Sequence, residues 1–306
     1  MKKVVVSILF LSLITRSYAS SDSVSFFSSS PDFNKKRFTT IVATEATLYS
    51  STLIGLNTLW YKDYPRSGFH FFNDNLEWLQ MDKTGHMVTS YYVGRIGMGL
   101  MKWSGVERKK AIWYGGMLGS IFQTTVEVLD GFSSQWGFSV GDFAANTVGS
   151  AAAIGQELAW SEQRVVLKYS FNQTDYAQYR TEVLGKNYIE NTLKDYNGQT
   201  YWASVNISSF LSKESKFPKW LNIAAGYGVN GLIGATSNPL YNKDGLPNPV
   251  FERSRQFYLS LDADLTRIKT RSKFLKAFFT AFGFIKIPAP TLEFNKNGIG
   301  FNAFYF

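Results

Sequence analysis

Residues 149–171 read GSAAAIGQELAWSEQRVVLKYSF, and within this stretch the spacing of apolar side chains changes from a helical one to a period of two. Up to Trp160, small and apolar residues recur at helical intervals. From Gln163 onward Val165, Leu167, Tyr169 and Phe171 alternate with Val166, Lys168 and Ser170, which is strand spacing. A helical half therefore precedes a β-rich half, and the fold class is α+β.

Upstream, the pattern predicts helices near 39–60, 75–81, 83–103, 105–130 and 139–160. Three pairs have capping-box spacing, Asp74 with Glu77, Ser104 with Glu107 and Ser139 with Asp142, and Asp82 is a further N-cap candidate. The connections are short, so neighbouring helices are expected to pack antiparallel. Gly94, Gly97, Gly116, Gly119, Ala144, Ala145 and Gly149 let helix backbones approach closely. Glu45, His86, Arg95, Glu127, Asp142 and Glu157 interrupt the apolar runs, which lipid-exposed spans tolerate poorly.

Downstream, strands are expected at 163–171, 201–210, 220–233, 254–266, 289–295 and 298–306. One face is apolar or aromatic and the other small or polar. A membrane β-strand with lipid outside and lumen inside reads this way, and so does a half-buried antiparallel sheet. Six strands fall short of the eight of the smallest common barrels, so an N-terminal helical bundle is expected to be followed by an antiparallel, barrel-like or open-sheet region. Residues 174–194 and 272–282 read as helices between strands. The second carries Phe274, Leu275, Phe278, Phe279 and Phe282 beside Lys269, Arg271, Lys273 and Lys276, a composition that suits a membrane interface or a core helix equally. The aromatic last strand closes on Phe306 and resembles the ending of bacterial outer-membrane barrels.

At the other end, Lys2 and Lys3 precede an apolar run over 4–14 and the small-residue site Ser17-Tyr18-Ala19, the pattern of a signal peptide over 1–19. A Ser-rich linker (20–38), the helical bundle (39–160) and the β-rich, outer-membrane-type region (161–306) follow. The 306 residues are 45% hydrophobic, too apolar for a disordered chain, while a mean hydropathy of −0.12 is too polar for one made mostly of membrane-spanning helices. With no cysteine, they offer no disulfide, no zinc-cysteine site and no lipidated cysteine. The net charge of +9 is spread out, with short clusters only at 35–37 and 108–110, and nucleic acid is not an expected partner.

Polar residues concentrate at the predicted helix ends. Asp82 and His86 are four apart on one helix face, Glu127 and Asp130 three apart near the end of the next long helix, and Asp142 and Asn146 four apart at the start of a third. An antiparallel bundle brings these six to one end. Three roles remain open for them. They cap helices and form a polar network that fixes helix register. Alternatively, His86, Glu127, Asp130 and Asp142 hold a divalent metal such as zinc, manganese or iron. In the third, His86 acts as a catalytic base oriented by Asp82 or Glu127. No serine elbow, Walker loop or His-Glu-x-x-His run accompanies them. His70, flanked by Phe69 and Phe71, reads as a packing residue.

The order Asp82, Lys83, Gly85, His86, then Glu127, Asp130, Gly131, then Gly137, Phe138, Ser139, Asp142, Asn146, Gly149 resembles the YfiM-like envelope proteins (domain of unknown function 2279) over about residues 55–160. The core of that order, Asp-Lys-x-x-His, Glu, Asp-x-x-x-Asn-x-x-Gly, is also similar to the VanZ-like membrane proteins linked to glycopeptide tolerance. The chain departs from these by Asp130-Gly131, where they tend to carry Gln, and by its signal peptide and β-rich tail. The resemblance implies a compact helical unit and supplies no reaction. The expected function is a non-catalytic structural or docking component of a Gram-negative envelope, at the outer membrane or in the periplasm, with outer-membrane lipid and other envelope proteins as partners. The alternative is an enzyme acting on lipid or cell wall through the His86 site.

Overall fold

A computed structural model describes residues 28–62 and 64–306; the signal peptide expected at 1–19 and the first part of the linker lie outside the described residues. The first long helix, α1 (Lys35–Leu56), starts at Asn34, whose side chain accepts from the Arg37 amide, and runs on into a π-helical turn, Asn57–Tyr61. Three helices form the bundle proper: α2 (Met81–Trp103), α3 (Arg108–Asp130) and α4 (Val140–Trp160). The stripe of small residues is where they touch. A Cβ built on Gly97 would stand 2.4 Å from the Gly115 carbonyl oxygen, and one on Gly119 only 2.0 Å from that of Ser90, so nothing larger fits between α2 and α3.

The switch from helix to strand is made by one side chain. Ser161 at φ 59 ends α4, and the Gln156 carboxamide oxygen accepts from the Arg164 and Val165 amides at 3.0 and 2.8 Å. Its amide group donates to the Val165 carbonyl at 2.9 Å, pinning the first strand to the last turns of the helix. The strands are β1 (Val165–Phe171), β2 (Gln199–Asn206), β3 (Leu221–Asn230) and β4 (Ser254–Ala263), then β5 (Ala289–Asn295) and β6 (Gly298–Tyr305). Short helices α5 (Thr181–Leu184) and α6 (Tyr188–Lys194) lie between β1 and β2, and α7 (Lys273–Phe282) between β4 and β5.

The six strands form one antiparallel sheet in chain order, β1 to β6, and it is open. Of the barrel-like and open-sheet forms expected, the open sheet is the one present. Residues 284–286, the lead-in to β5, occupy the β1 edge in a parallel bridge. Tyr169 donates to the Phe284 carbonyl at 2.8 Å and the Lys286 amide to that of Tyr169 at 2.9 Å. The edge that β6 would need is already taken.

The alternation read from the sequence appears as burial. Lys168, Ser170, Trp202, Ser204, Asn206, Asn222, Tyr258, Ser260, Asp262 and Thr291 are buried on the inner face. On the outer face Ile223, Phe257, Leu259, Leu261, Leu292, Phe294, Ile299 and Phe301 are exposed, and Phe304 is 84% exposed. The interior is a polar network. Lys168 pairs with Asp262 at 2.7 Å, Ser204 donates to Asp262 at 2.6 Å, and the Asn222 and Asn206 amides extend the chain of bonds.

The outer face of β1 turns instead to the bundle, where Leu167 packs on Tyr91, Met98, Ile112, Ala153 and Ile154. A second shared cluster joins Met81 of α2 to Val229 and Leu232.

The helix expected at 75–81 is instead a single 3-10 turn, Glu77–Gln80, in which Trp78, Leu79 and Gln80 have φ of 47, 50 and 65°. Left-handed backbone at three non-glycine residues is costly, and the sheet holds it in place. The Trp78 amide donates to the Ala235 carbonyl, and the Tyr227 hydroxyl to that of Leu79.

Two of the three capping boxes do not form. The Asp74 carboxylate is taken by Lys83 and Ser139, and the Ser104 hydroxyl donates back to the Met101 carbonyl at the end of α2. Asp82 lies inside the first turn of α2, not at its cap.

Candidate functional site

The ends of α2, α3 and α4 meet beneath the sheet, and their polar side chains form one cluster. Ser139 caps α4 by accepting from the Asp142 amide at 3.0 Å. The reciprocal bond of this cap comes from a different helix, because the Ser139 amide donates to Glu127 Oε2 at 3.1 Å. The end of α3 is thereby fastened to the start of α4.

His86 stands at the centre. Its Nδ1 lies 3.0 Å from Asn146 Oδ1 and 3.6 Å from Glu127 Oε1, and its Nε2 lies 3.9 Å from Asp82 Oδ1. With Nδ1 protonated, the imidazole donates to Asn146 Oδ1, which also accepts from Ser90 at 3.3 Å. Lys83 bridges Asp74 at 2.7 Å and Asp142 at 3.3 Å. Tyr61 donates to Asp130 and Tyr196 to Asp82, each at 2.7 Å. Gly85 leaves room for the sheet above, since a Cβ there would meet the Tyr201 hydroxyl at 2.8 Å.

Five carboxylates, those of Asp74, Asp82, Glu127, Asp130 and Asp142, thus face two cationic groups, Lys83 and His86. Burial pushes Glu127 up to about 8, against the opposing pull of His86. It pushes Asp130 to about 7 despite the Tyr61 bond, and Asp142 to about 7 with the Asp82 charge adding to the effect. Burial works against a charged His86, but the facing Asp82, Asp142 and Glu127 outweigh it and leave the imidazole more basic than usual. Asp74 moves the other way: burial is overcome by hydrogen bonds from Asp142, Lys83 and Ser139. The raised proton affinity of Glu127, Asp130 and Asp142 works against this surplus of negative charge.

The structure brings together all six residues that helical spacing had placed at one end of the bundle. Among the described residues, the acidic and imidazole donor atoms that lie within 4.8 Å of one another are those of Asp82, His86 and Asp142. Glu127 touches the opposite side of the imidazole, and Asp130 is turned to Tyr61. Asp74, Tyr61, Gln123 and Tyr196 complete the cluster and were not read from the sequence. The one available signal was Asp74, nine residues before Lys83 in a turn-forming stretch. His70 lies outside the cluster, its backbone bridged to the Gly131 and Phe138 backbones.

Neither curated proteins nor solved structures give a match to the chain. The stretch that holds α2, α3 and most of α4, and with them the cluster apart from Tyr61 and Tyr196, does find one: residues 68–156 match the model of a family described as "Predicted periplasmic lipoprotein (DUF2279)".

Proposed function

We propose that the protein is a non-catalytic structural or docking component of the Gram-negative cell envelope, seated in the lipid of the outer membrane by the outer face of its sheet and by α7. The observation that carries this reading is the inverted burial of the sheet. Its enclosed face is charged and hydrogen-bonded while its open face is aliphatic and aromatic, an arrangement that lipid stabilises and water does not.

Helix α7 supports it: Phe274, Leu275, Phe278 and Phe282 are exposed, and Lys269, Arg271, Lys273 and Lys276 flank them with charge for anionic headgroups. Among the described residues no helix is long and apolar enough to cross a membrane. The description of the matching family agrees with an envelope location. None of the 306 residues is the cysteine that a lipoprotein's acyl chains require, so these apolar faces are the lipid contact this sequence itself offers.

The test is envelope fractionation of the full chain, with and without Phe306, followed by urea washing. Retention in the outer membrane through urea, lost when Phe306 is removed, is the expected result. Release into the soluble fraction overturns the reading.

A second reading concerns the bundle. Asp82, His86 and Asp142 present one imidazole and two carboxylates at a spacing that suits a zinc, manganese or iron ion, and a divalent cation would neutralise the buried negative charge. Elemental analysis of protein purified without chelator and supplemented with these metals tests it; no stoichiometric ion after supplementation excludes it. The enzymatic alternative rests on His86 as base, oriented by Asp82 or Glu127. It requires His86→Ala to abolish a cellular phenotype while the fold survives.

A further inference from the structure

Away from the His86 cluster, a cavity of about 420 Å³ opens where the middle of α2, the end of α4 and the loop after β4 meet, lined among others by Arg95, Lys102, Glu157, Glu162, Asp264 and Arg267. Its carboxylates are all engaged. Glu157 is paired with Lys102, Glu162 with Arg164 at 3.0 Å and Arg267 at 3.1 Å, and Asp264 with Arg267 at 3.2 Å. Arg95 is different: among the described residues no carboxylate lies within ion-pair distance of it. Its guanidinium instead rests over the rings of Tyr91 and Tyr92, 5.5 and 5.4 Å from their centroids.

Aromatic faces orient a guanidinium, and with the Tyr91 hydroxyl also drawing on Arg95, the remaining N–H donors of its five-donor fork are the groups that bind an oxyanion in bidentate fashion. Burial raises the hydroxyl pKa of both tyrosines, that of Tyr91 to about 12, so neither ring carries a neutralising charge. Along the wall Arg95, Lys102 and Arg267 match Glu157, Glu162 and Asp264 in number, but Arg164, outside the wall, also pairs with Glu162, so the carboxylates are neutralised without Arg95; Arg108 stands close by, donating to the Ser161 hydroxyl at 2.8 Å.

We propose that this cavity binds an organic phosphate, with the phosphate on Arg95 and the hydroxylated remainder of the ligand against the mixed donors and acceptors of the wall. The cavity is of the size that takes a small organic molecule and is larger than a bare ion needs. Met98 and Val166 give it an apolar patch beside the charges. The same chemistry is presented by a soluble phosphate ester and by a glycerophospholipid headgroup. The inference does not depend on how the sheet meets lipid.

The experiment is calorimetric titration of the full chain with glycerol 3-phosphate, and in parallel binding to vesicles of phosphatidylglycerol against phosphatidylcholine. Two variants report on the cavity. Arg95→Gln removes the charge. Gly99→Leu projects a side chain over the opening from a helical position where a new Cβ meets nothing within 4 Å, so it blocks the cavity without disturbing the core even if Arg95→Gln fails to fold. Lys109→Gln, at an exposed position on α3, is the control.

The expected result is saturable binding that weakens tenfold or more in each cavity variant and is unchanged in the control. If only phosphatidylglycerol vesicles show this dependence, the ligand is the headgroup; if glycerol 3-phosphate shows it, a soluble ester suffices. No binding of either probe, or binding that Gly99→Leu leaves intact, overturns the proposal.

Discussion

Glu127 accepts the Ser139 amide, faces His86 and is buried, and these circumstances pull its proton affinity in different directions. Burial prevails. Because Glu127, Asp130, Asp142 and His86 all bind protons more tightly in the fold than in the unfolded chain, the stability they contribute is full at acid pH and is lost as pH rises through about 7 to 8. Asp74 has the opposite sign, but its window lies below its ordinary value of 3.8. The melting temperature is therefore expected to fall between pH 5 and 8.5, and at roughly 2–4 °C per kcal/mol a loss of about 2 kcal/mol lowers it by roughly 4–8 °C. Glu127→Gln keeps an acceptor for the Ser139 amide and should flatten part of that fall. A melting temperature that stays level or climbs over this range would show that the cluster is not held by protons. The pairs Asp82/His86, Glu127/Asp130 and Asp142/Asn146 were legible in the sequence because helix geometry fixes residues three and four apart on one face. Tyr196 reaches Asp82 across 114 positions and Tyr61 arrives from the end of α1, and no local period reports a contact of that kind.

At the scale of elements, all six strands were read, because β1, β3, β4 and β5 each alternate between an enclosed and an open face, but three were drawn too long: β2 stops at Asn206, where Ile207–Phe210 forms a 3-10 turn, β3 at Asn230 and β4 at Ala263. The turn at 77–80 was not read. Its left-handed residues Trp78, Leu79 and Gln80 have no local preference for that backbone, and only the distant Tyr227 and Ala235 explain it. Helix contact gives a sharp expectation. Gly119→Ala forces a methyl to within 2.0 Å of the Ser90 carbonyl oxygen and should cost about 1–3 kcal/mol, whereas Gly99→Ala meets nothing within 4 Å and should gain up to about 1 kcal/mol from helix propensity. Chemical denaturation of both variants measures the difference; equal effects would mean that α2 and α3 are not in contact there. Within the sheet, Lys168→Met takes from the buried Asp262 carboxylate the cation bonded to it, leaving only the charge of the nearby Lys286, and should cost roughly 3–5 kcal/mol; urea denaturation measures the loss.

Taken as a whole, the molecule carries large apolar side chains on the outside of both halves. The sheet is inverted from Lys168 to Phe301, whereas the bundle keeps an apolar core of Tyr91, Met98, Ile112 and Ile154 beside the buried Ser90, Gln123, Glu127 and Asn146 and still exposes Ile96, Trp113, Ile121 and Val148. Hydropathy averaged along the chain conceals this, because inversion exchanges which residues are covered without changing how many of each there are. The two halves are also joined through Leu167 on the bundle core, Met81 between Val229 and Leu232, and the Tyr196 bond to Asp82. A surface of this kind is expected to drive association in water and to be satisfied by detergent. Light scattering coupled to size exclusion should show aggregates or oligomers in plain buffer and a single chain in a detergent micelle, unfolding in one transition because the two halves share the clusters around Leu167 and Met81. Substituting the outer sheet residues Leu259, Leu261 and Phe301 with Glu should shift the protein toward a monomer in buffer and remove it from membranes together. Their side chains are exposed and outside the interior network, which Leu261 joins only through its carbonyl, so the fold should survive. Monomeric behaviour of the unsubstituted chain in buffer alone would mean that water tolerates these faces and that membrane attachment lies elsewhere.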